Sequence, residues 1–180
     1  YDVTAIVCDY NEALRRADDE IEAAAPWKMI RVPRARDEGI VARAAAALAR
    51  LLVSLGLAVP VGVAARSARA PVAALMRRTA EVPADLYIAH YVAALPAVAA
   101  AAGRHRALLG FDAEDFHSGE GTGTPGDAFR MKMIGIVEQA VLPSCSHMTA
   151  AAPLIGKAYA ARYGLAEPVT VLNVFPLSMA

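Results

Sequence analysis

Asp85-Leu-Tyr-Ile-Ala-His90-Tyr-Val-Ala-Ala-Leu-Pro-Ala-Val-Ala-Ala-Ala-Ala-Gly-Arg-His-Arg-Ala-Leu-Leu-Gly-Phe-Asp112-Ala-Glu-Asp-Phe-His117 is the stretch whose reading decides the fold. A short apolar run ends on His90, a helical segment covers about 92–102, and a second apolar run, Ala107 to Asp112, follows. That run empties into an acidic loop, Ala113-Glu114-Asp115-Phe116-His117. Two apolar runs joined by a helix predict parallel strands, because parallel neighbours need a long crossover. Open parallel sheets bind ligands beyond the carboxyl ends of their strands. His90, Asp112, Glu114, Asp115 and His117 all fall at such ends.

The same alternation extends in both directions. Asp2 to Cys8 is apolar enough for a parallel strand buried on both faces. Asn11 is placed to cap a helix over Glu12–Ala25, which Pro26 ends before a strand over Lys28–Val32. A polar connection leads to a helix over Ile40–Leu55, stopped by Gly56, and a further helix covers Pro71–Ala80. Beyond the central stretch, Ser118 to Gly126 carries four glycines in nine residues and reads as a loop. Thr124 as N-cap, Pro125 at the first helical position and Asp127 three residues after the cap start a helix running to Leu142. A strand over His147–Ala151, a helix over Pro153–Tyr163 with Gly164 as its stop, and a strand over Val169–Val174 complete the chain. Strands near Val3, Met29, Ile88, Leu108, Met148 and Val171 therefore predict an α/β fold. The expected architecture is one Rossmann-like open parallel sheet with helices on both faces, spanning residues 1–180 as a single domain.

Composition narrows the function. Eighteen Lys and Arg against eighteen Asp and Glu leave no net charge to draw in nucleic acid, so no nucleic-acid partner is expected. Much of the 57% apolar content is alanine, which favours helix and close helix–sheet packing. The most lipid-like window, Leu51 to Ala65, is broken by Pro60 and shorter than the roughly 20 residues of a spanning helix. It reads as a buried helix end and loop, with peripheral membrane contact as the alternative. Arg43 and Arg50 read as a solvated stripe, and Arg66, Arg69, Arg77 and Arg78 as a solvated surface with anionic lipid or an acidic acceptor as the alternative. Cys8 and Cys145 lack metal or redox spacing and fit a reduced, cytoplasmic setting.

Gly121-x-Gly123-x-x-Gly126 matches the dinucleotide fingerprint letter for letter. That mechanism needs its first glycine directly after a strand, so a loop is the better reading here. His90 has two open readings: it satisfies a backbone carbonyl, or it faces a ligand cleft. Glu114, Asp115 and His117 have three: they bind or deprotonate a hydroxyl, hold a metal, or cap the turn. No tight ligand spacing supports a metal, and none is assigned.

These residues also carry a resemblance. An Asp-aliphatic-aliphatic-x-x-His-like strand (Asp85 to His90), an Ala-rich helix and a strand ending in Asp112-x-x-Asp115 resemble the N-terminal half of glycosyltransferase family 4 enzymes. Asp2-Val-Thr-Ala-Ile-Val resembles that family's second strand, and Val169-Thr-Val-Leu-Asn173-Val-Phe-Pro176 its last strand before the linker. The resemblance implies one half of a GT-B fold, the acceptor side, with retaining transfer of a sugar from a nucleotide sugar to a glycan or lipid-linked acceptor. The nucleotide sugar is a substrate; no cofactor is implied. Asp115 and His90 become the expected catalytic residues, and Asp112, Glu114, His117 and Glu120 the expected acceptor-binding ones. The family often carries histidine where Glu114 stands, so a histidine role transfers only if His117 substitutes. Glu12 and Glu20 have the spacing of the two glutamates of the family's C-terminal domain but not their apolar and glycine context, and the match is coincidental. The resemblance further implies a strand preceding Tyr1, between those at Val3 and Ile88, and a donor-binding domain after Pro176. The gap between Val3 and Ile88 would be closed by direct pairing, by a strand of another copy, or by residues outside this sequence. A nucleotide-binding oxidoreductase fragment and a non-enzymatic flavodoxin-like interaction module are the alternatives.

Overall fold

The computed structural model describes residues 1–9, 15–33, 38–68 and 72–174. The Asn11 cap, the polar connection after Pro33, and Arg69, Pro71 and Pro176 lie outside the described residues. Strands are β1 (Thr4–Asp9), β2 (Lys28–Pro33), β3 (Leu86–Ala89), β4 (Leu108–Ala113), β5 (His147–Ala150) and β6 (Val169–Thr170). Helices are α1 (Arg15–Ala24), α2 (Glu38–Ser54), α3 (Val61–Ala68), α4 (Val72–Ala80), α5 (Leu95–His105), α6 (Pro125–Val141) and α7 (Pro153–Tyr163). Every strand pairing is parallel, and the fold is the expected α/β arrangement, a Rossmann-like open sheet flanked by helices.

The strands form two ladders, β2-β1 and β3-β4-β5-β6. Among the described residues β1 and β3 do not pair, so direct pairing does not close the expected gap. The two ladders are linked through helices: Leu75 of α4 and Ala97 of α5 are buried with Val32 of β2, against Ile6 and Cys8 of β1. The main core lies on the four-stranded side. Tyr87, Ala89, Leu109, Phe111, Ala113 and Ala150 pack there against Leu95 and Val98 of α5 and Met133 and Val137 of α6. Strands buried on both faces need apolar residues at consecutive positions, and Leu109 to Phe111 supplies them.

Two expectations about burial are corrected. β1 is only partly buried, and α1 buries no residue. In the window from Leu51 to Ala65, the residues Val59, Ala64 and Ala65 are buried, whereas Leu51, Leu55 and Leu57 are exposed. Leu51 lies in α2, and Leu55 and Leu57 lie in the connection that follows it.

Element ends follow local chemistry. Thr124 accepts a hydrogen bond from the Asp127 N–H at 3.2 Å and Pro125 opens α6, as its sequence predicts. α5 begins at Leu95 rather than Val92, because Tyr91 to Ala94 forms a turn in which the Ala94 N–H donates to the Tyr91 carbonyl at 2.9 Å. It ends on Arg106 at φ 56°, a left-handed position normally filled by glycine. β6 is shorter than expected and stops at Thr170, with Val171 still donating to the Ala150 carbonyl at 2.9 Å.

Candidate functional site

In the β3–β4 ladder Ala89 faces Phe111, so the next residues, His90 and Asp112, emerge side by side at the carboxyl edge. His90 Nδ1 lies 3.0 Å from Asp112 Oδ2. β5 brings Thr149 opposite Asp112, and its hydroxyl donates to Asp112 Oδ1. Asp112 is thereby clamped between a histidine and a threonine from neighbouring strands, while the His90 side chain stays largely exposed. His90 does not satisfy a buried carbonyl; its partner is the carboxylate beside it.

Two groups of donor atoms result at this edge. His90, Asp112 and Glu114 bring one ligand-capable atom each to within 4.8 Å of one another, and Asp115, His117 and Glu120 do the same. The second group is unlike the first in burial. The His117 ring is covered by Tyr91, with centroids 4.7 Å apart, and is only 3% exposed. Its Nε2 is buried without a hydrogen-bond partner, and its Nδ1 lies 3.9 Å from Glu120 Oε2. Tyr91, Val92, His117, Glu120, Arg130 and Ile134 line a small depression. Arg130 is paired with Asp127 at 3.3 Å.

What holds this loop in place is a buried polar network that sequence reasoning missed. Glu138 on α6 is fully buried. The Tyr159 hydroxyl on α7 donates to its Oε1 at 2.9 Å and lies 3.2 Å from the Asp115 carbonyl oxygen. The Tyr163 hydroxyl, one turn on, donates to Glu138 Oε2. Because that proton is committed to Glu138, Ser118 Oγ is the donor in its 2.9 Å contact with Tyr163, and Arg162 Nε donates to the same oxygen at 3.1 Å. The tyrosines thus hold the loop at His117, whose backbone N–H bonds to the Tyr159 oxygen, and at the Ser118 hydroxyl. Burial, reinforced by Glu138, pushes the Tyr163 phenol up to about 12 and the Tyr159 phenol further up. Both remain protonated donors at neutral pH. The signals were present: Tyr159 and Tyr163 stand four apart on one helix face, and Glu138 interrupts an otherwise apolar run.

Gly119 closes the turn by donating its N–H to the Phe116 carbonyl at 2.8 Å. A side chain there would overlap the Phe116 ring, which packs edge-on against Tyr159. The glycine run that matches the dinucleotide fingerprint begins well after the end of β4 and precedes α6, so it lacks the strand–turn–helix context of a phosphate cradle. No helix among the described residues is long and apolar enough to cross a membrane. No family model, curated protein or solved structure matches this chain.

Proposed function

We propose that this chain is the acceptor-side domain of a GT-B glycosyltransferase, which moves a sugar from a nucleotide sugar to a glycan or lipid-linked acceptor. The observation that carries the reading is the gathering of His90, Asp112, Glu114, Asp115, His117 and Glu120 at one carboxyl edge of a parallel sheet. Paired carboxylates and imidazoles suit recognition of a polyhydroxylated acceptor and removal of a proton from the attacking hydroxyl. In this reading Asp115 and His90 act on the hydroxyl, while Asp112, Glu114, His117 and Glu120 bind the acceptor. The exposed Leu48, Leu51, Leu55 and Leu57 supply an apolar surface suited to peripheral contact at the cytoplasmic membrane face, where a lipid-linked acceptor would lie.

A GT-B site is assembled from two domains, so the test of turnover uses an enzyme that also carries a donor-binding domain. Asp115→Asn keeps shape and removes charge, and should lower kcat by roughly 10²-fold or more. His90→Ala should weaken turnover with little change in melting temperature, since the side chain is exposed. Near-normal turnover in both variants would place the acceptor site elsewhere. On the chain alone, a saturable NMR response of residues 90–91 and 112–120 to a glycan acceptor supports the reading. A response to NADH instead supports an oxidoreductase, and silence toward both supports an interaction module.

A further inference from the structure

We propose that Asp115, His117 and Glu120 form a binding site for one divalent metal ion, Mn²⁺ or Zn²⁺, beside the depression that His117 and Glu120 line. Three features converge on it. The donor atoms of the three residues all lie within 4.8 Å of one another. The contact between His117 Nδ1 and Glu120 Oε2, at 3.9 Å, is too long for a hydrogen bond. It does match the roughly 3–4 Å that separates two donors each about 2.1 Å from a common ion. And the His117 imidazole is only 3% exposed, with no hydrogen bond among the described residues to Nδ1, the ring nitrogen that faces Glu120.

The surrounding charges favour a cation there. Asp115 and Glu120 bring two carboxylates to the site. Arg130, the guanidinium that lines the depression among the described residues, is paired with Asp127. Two carboxylate oxygens and one imidazole nitrogen form a mixed hard and borderline donor set, which suits Mn²⁺ and Zn²⁺ better than a thiolate-seeking ion. Three protein ligands leave coordination positions open toward the depression, where a hydroxyl or phosphate oxygen of a bound molecule would complete the shell. The loop is held from behind, because the Tyr159 oxygen takes the His117 backbone N–H and the Ser118 hydroxyl donates to Tyr163. The other donor group, His90, Asp112 and Glu114, is different: its histidine is exposed and already hydrogen-bonded to Asp112.

The test titrates chelator-stripped chain with MnCl₂ and, separately, ZnCl₂ by calorimetry. One saturable equivalent is expected, weakened about tenfold or more in His117→Ala, Glu120→Gln and Asp115→Asn. It should be unchanged in His147→Ala, at the amino-terminal end of β5 on the opposite edge. Glu120 and Asp115 are exposed, so their near-isosteric variants keep the test decisive if His117→Ala fails to fold. Mn²⁺ should broaden the NMR signals of Tyr91 and residues 115–120 first. Absence of saturable binding, equal affinity in Glu120→Gln and Asp115→Asn, or broadening centred on His90 would each overturn the proposal. The probe is the metal alone, without donor or acceptor, so its failure leaves the glycosyltransferase reading standing and the failure of that reading leaves the metal site standing.

Discussion

Tyr159→Phe isolates one hydroxyl in the densest part of the molecule. The ring is fully buried, packed edge-on against Phe111 and Phe116, and phenylalanine keeps all of that volume. What is lost is the donor to Glu138 Oε1, leaving a fully buried carboxyl with Tyr163 as its remaining phenolic donor. A hydrogen bond to a charged group contributes about 1.5–3 kcal/mol, and a buried acceptor left short of a donor adds to the loss, so about 2–3 kcal/mol is expected. For a domain of this length that lowers Tm by roughly 5–10 °C. Urea unfolding followed by circular dichroism should show a lower midpoint at unchanged slope, which marks a change in stability rather than in compactness. The same substitution in a Glu138→Gln background should cost less, about 0.5–1.5 kcal/mol, because the acceptor is then neutral. A loss below about 0.5 kcal/mol in the native background would show that Tyr159 does not donate to a buried carboxylate, and the account of how the loop is held would fall.

Alkaline conditions should unfold the chain early. Burial pushes the Cys145 thiol up to about 11 and the Tyr163 phenol up to about 12. Stability from these groups is therefore complete below their unfolded values, about 8.5 and 10, and is lost as pH rises through the folded ones. An equal urea midpoint at pH 8 and pH 11 would refute this, and at pH 8 Cys145 should react with a disulfide reagent roughly 10²-fold more slowly than in the unfolded chain. Arg106→Gly relieves a left-handed cap at φ 56° and should raise stability by about 0.5–1 kcal/mol in thermal melts, with a loss counting against the cap. Gly110→Ala should cost about 1–3 kcal/mol, because its new Cβ would sit 3.1 Å from Ile88 Cγ1 and 3.3 Å from the His147 carbonyl oxygen in the middle of the ladder. Gly156→Ala meets nothing closer than 3.5 Å and should be neutral or slightly stabilising in the same assay, so equal losses at the two sites would contradict the packing argument.

Strand ends were legible because apolar runs and turn chemistry are local. Ala107 to Asp112 could be read as a strand without knowing its neighbours, and so could the placing of His90 and Asp112 at its carboxyl side. Burial was less legible, since it depends on what other elements cover. Leu51, Leu55 and Leu57 look like core by composition, yet all three are exposed at and beyond the end of α2. Asp2 to Cys8 looks like a fully buried strand, yet α1 buries nothing against it. The same limit explains the site. Asp115, His117 and Glu120 lie within six residues but match no metal-ligand spacing, and the turn closed by Gly119 is part of what makes them neighbours. Glu138 and Tyr159 are twenty-one residues apart and belong to different helices, so their pairing is a property of packing. The local anomaly was nevertheless visible as a lone carboxylate in Ile134-Gly-Ile-Val-Glu138-Gln-Ala-Val. A buried acid must find donors, and on this chain the donors are tyrosines that also hold the loop carrying Asp115 and His117. The charge in α6 and the polar loop after β4 are thus one arrangement: the buried carboxylate fixes the phenols, and the phenols fix the backbone that presents the exposed carboxylates.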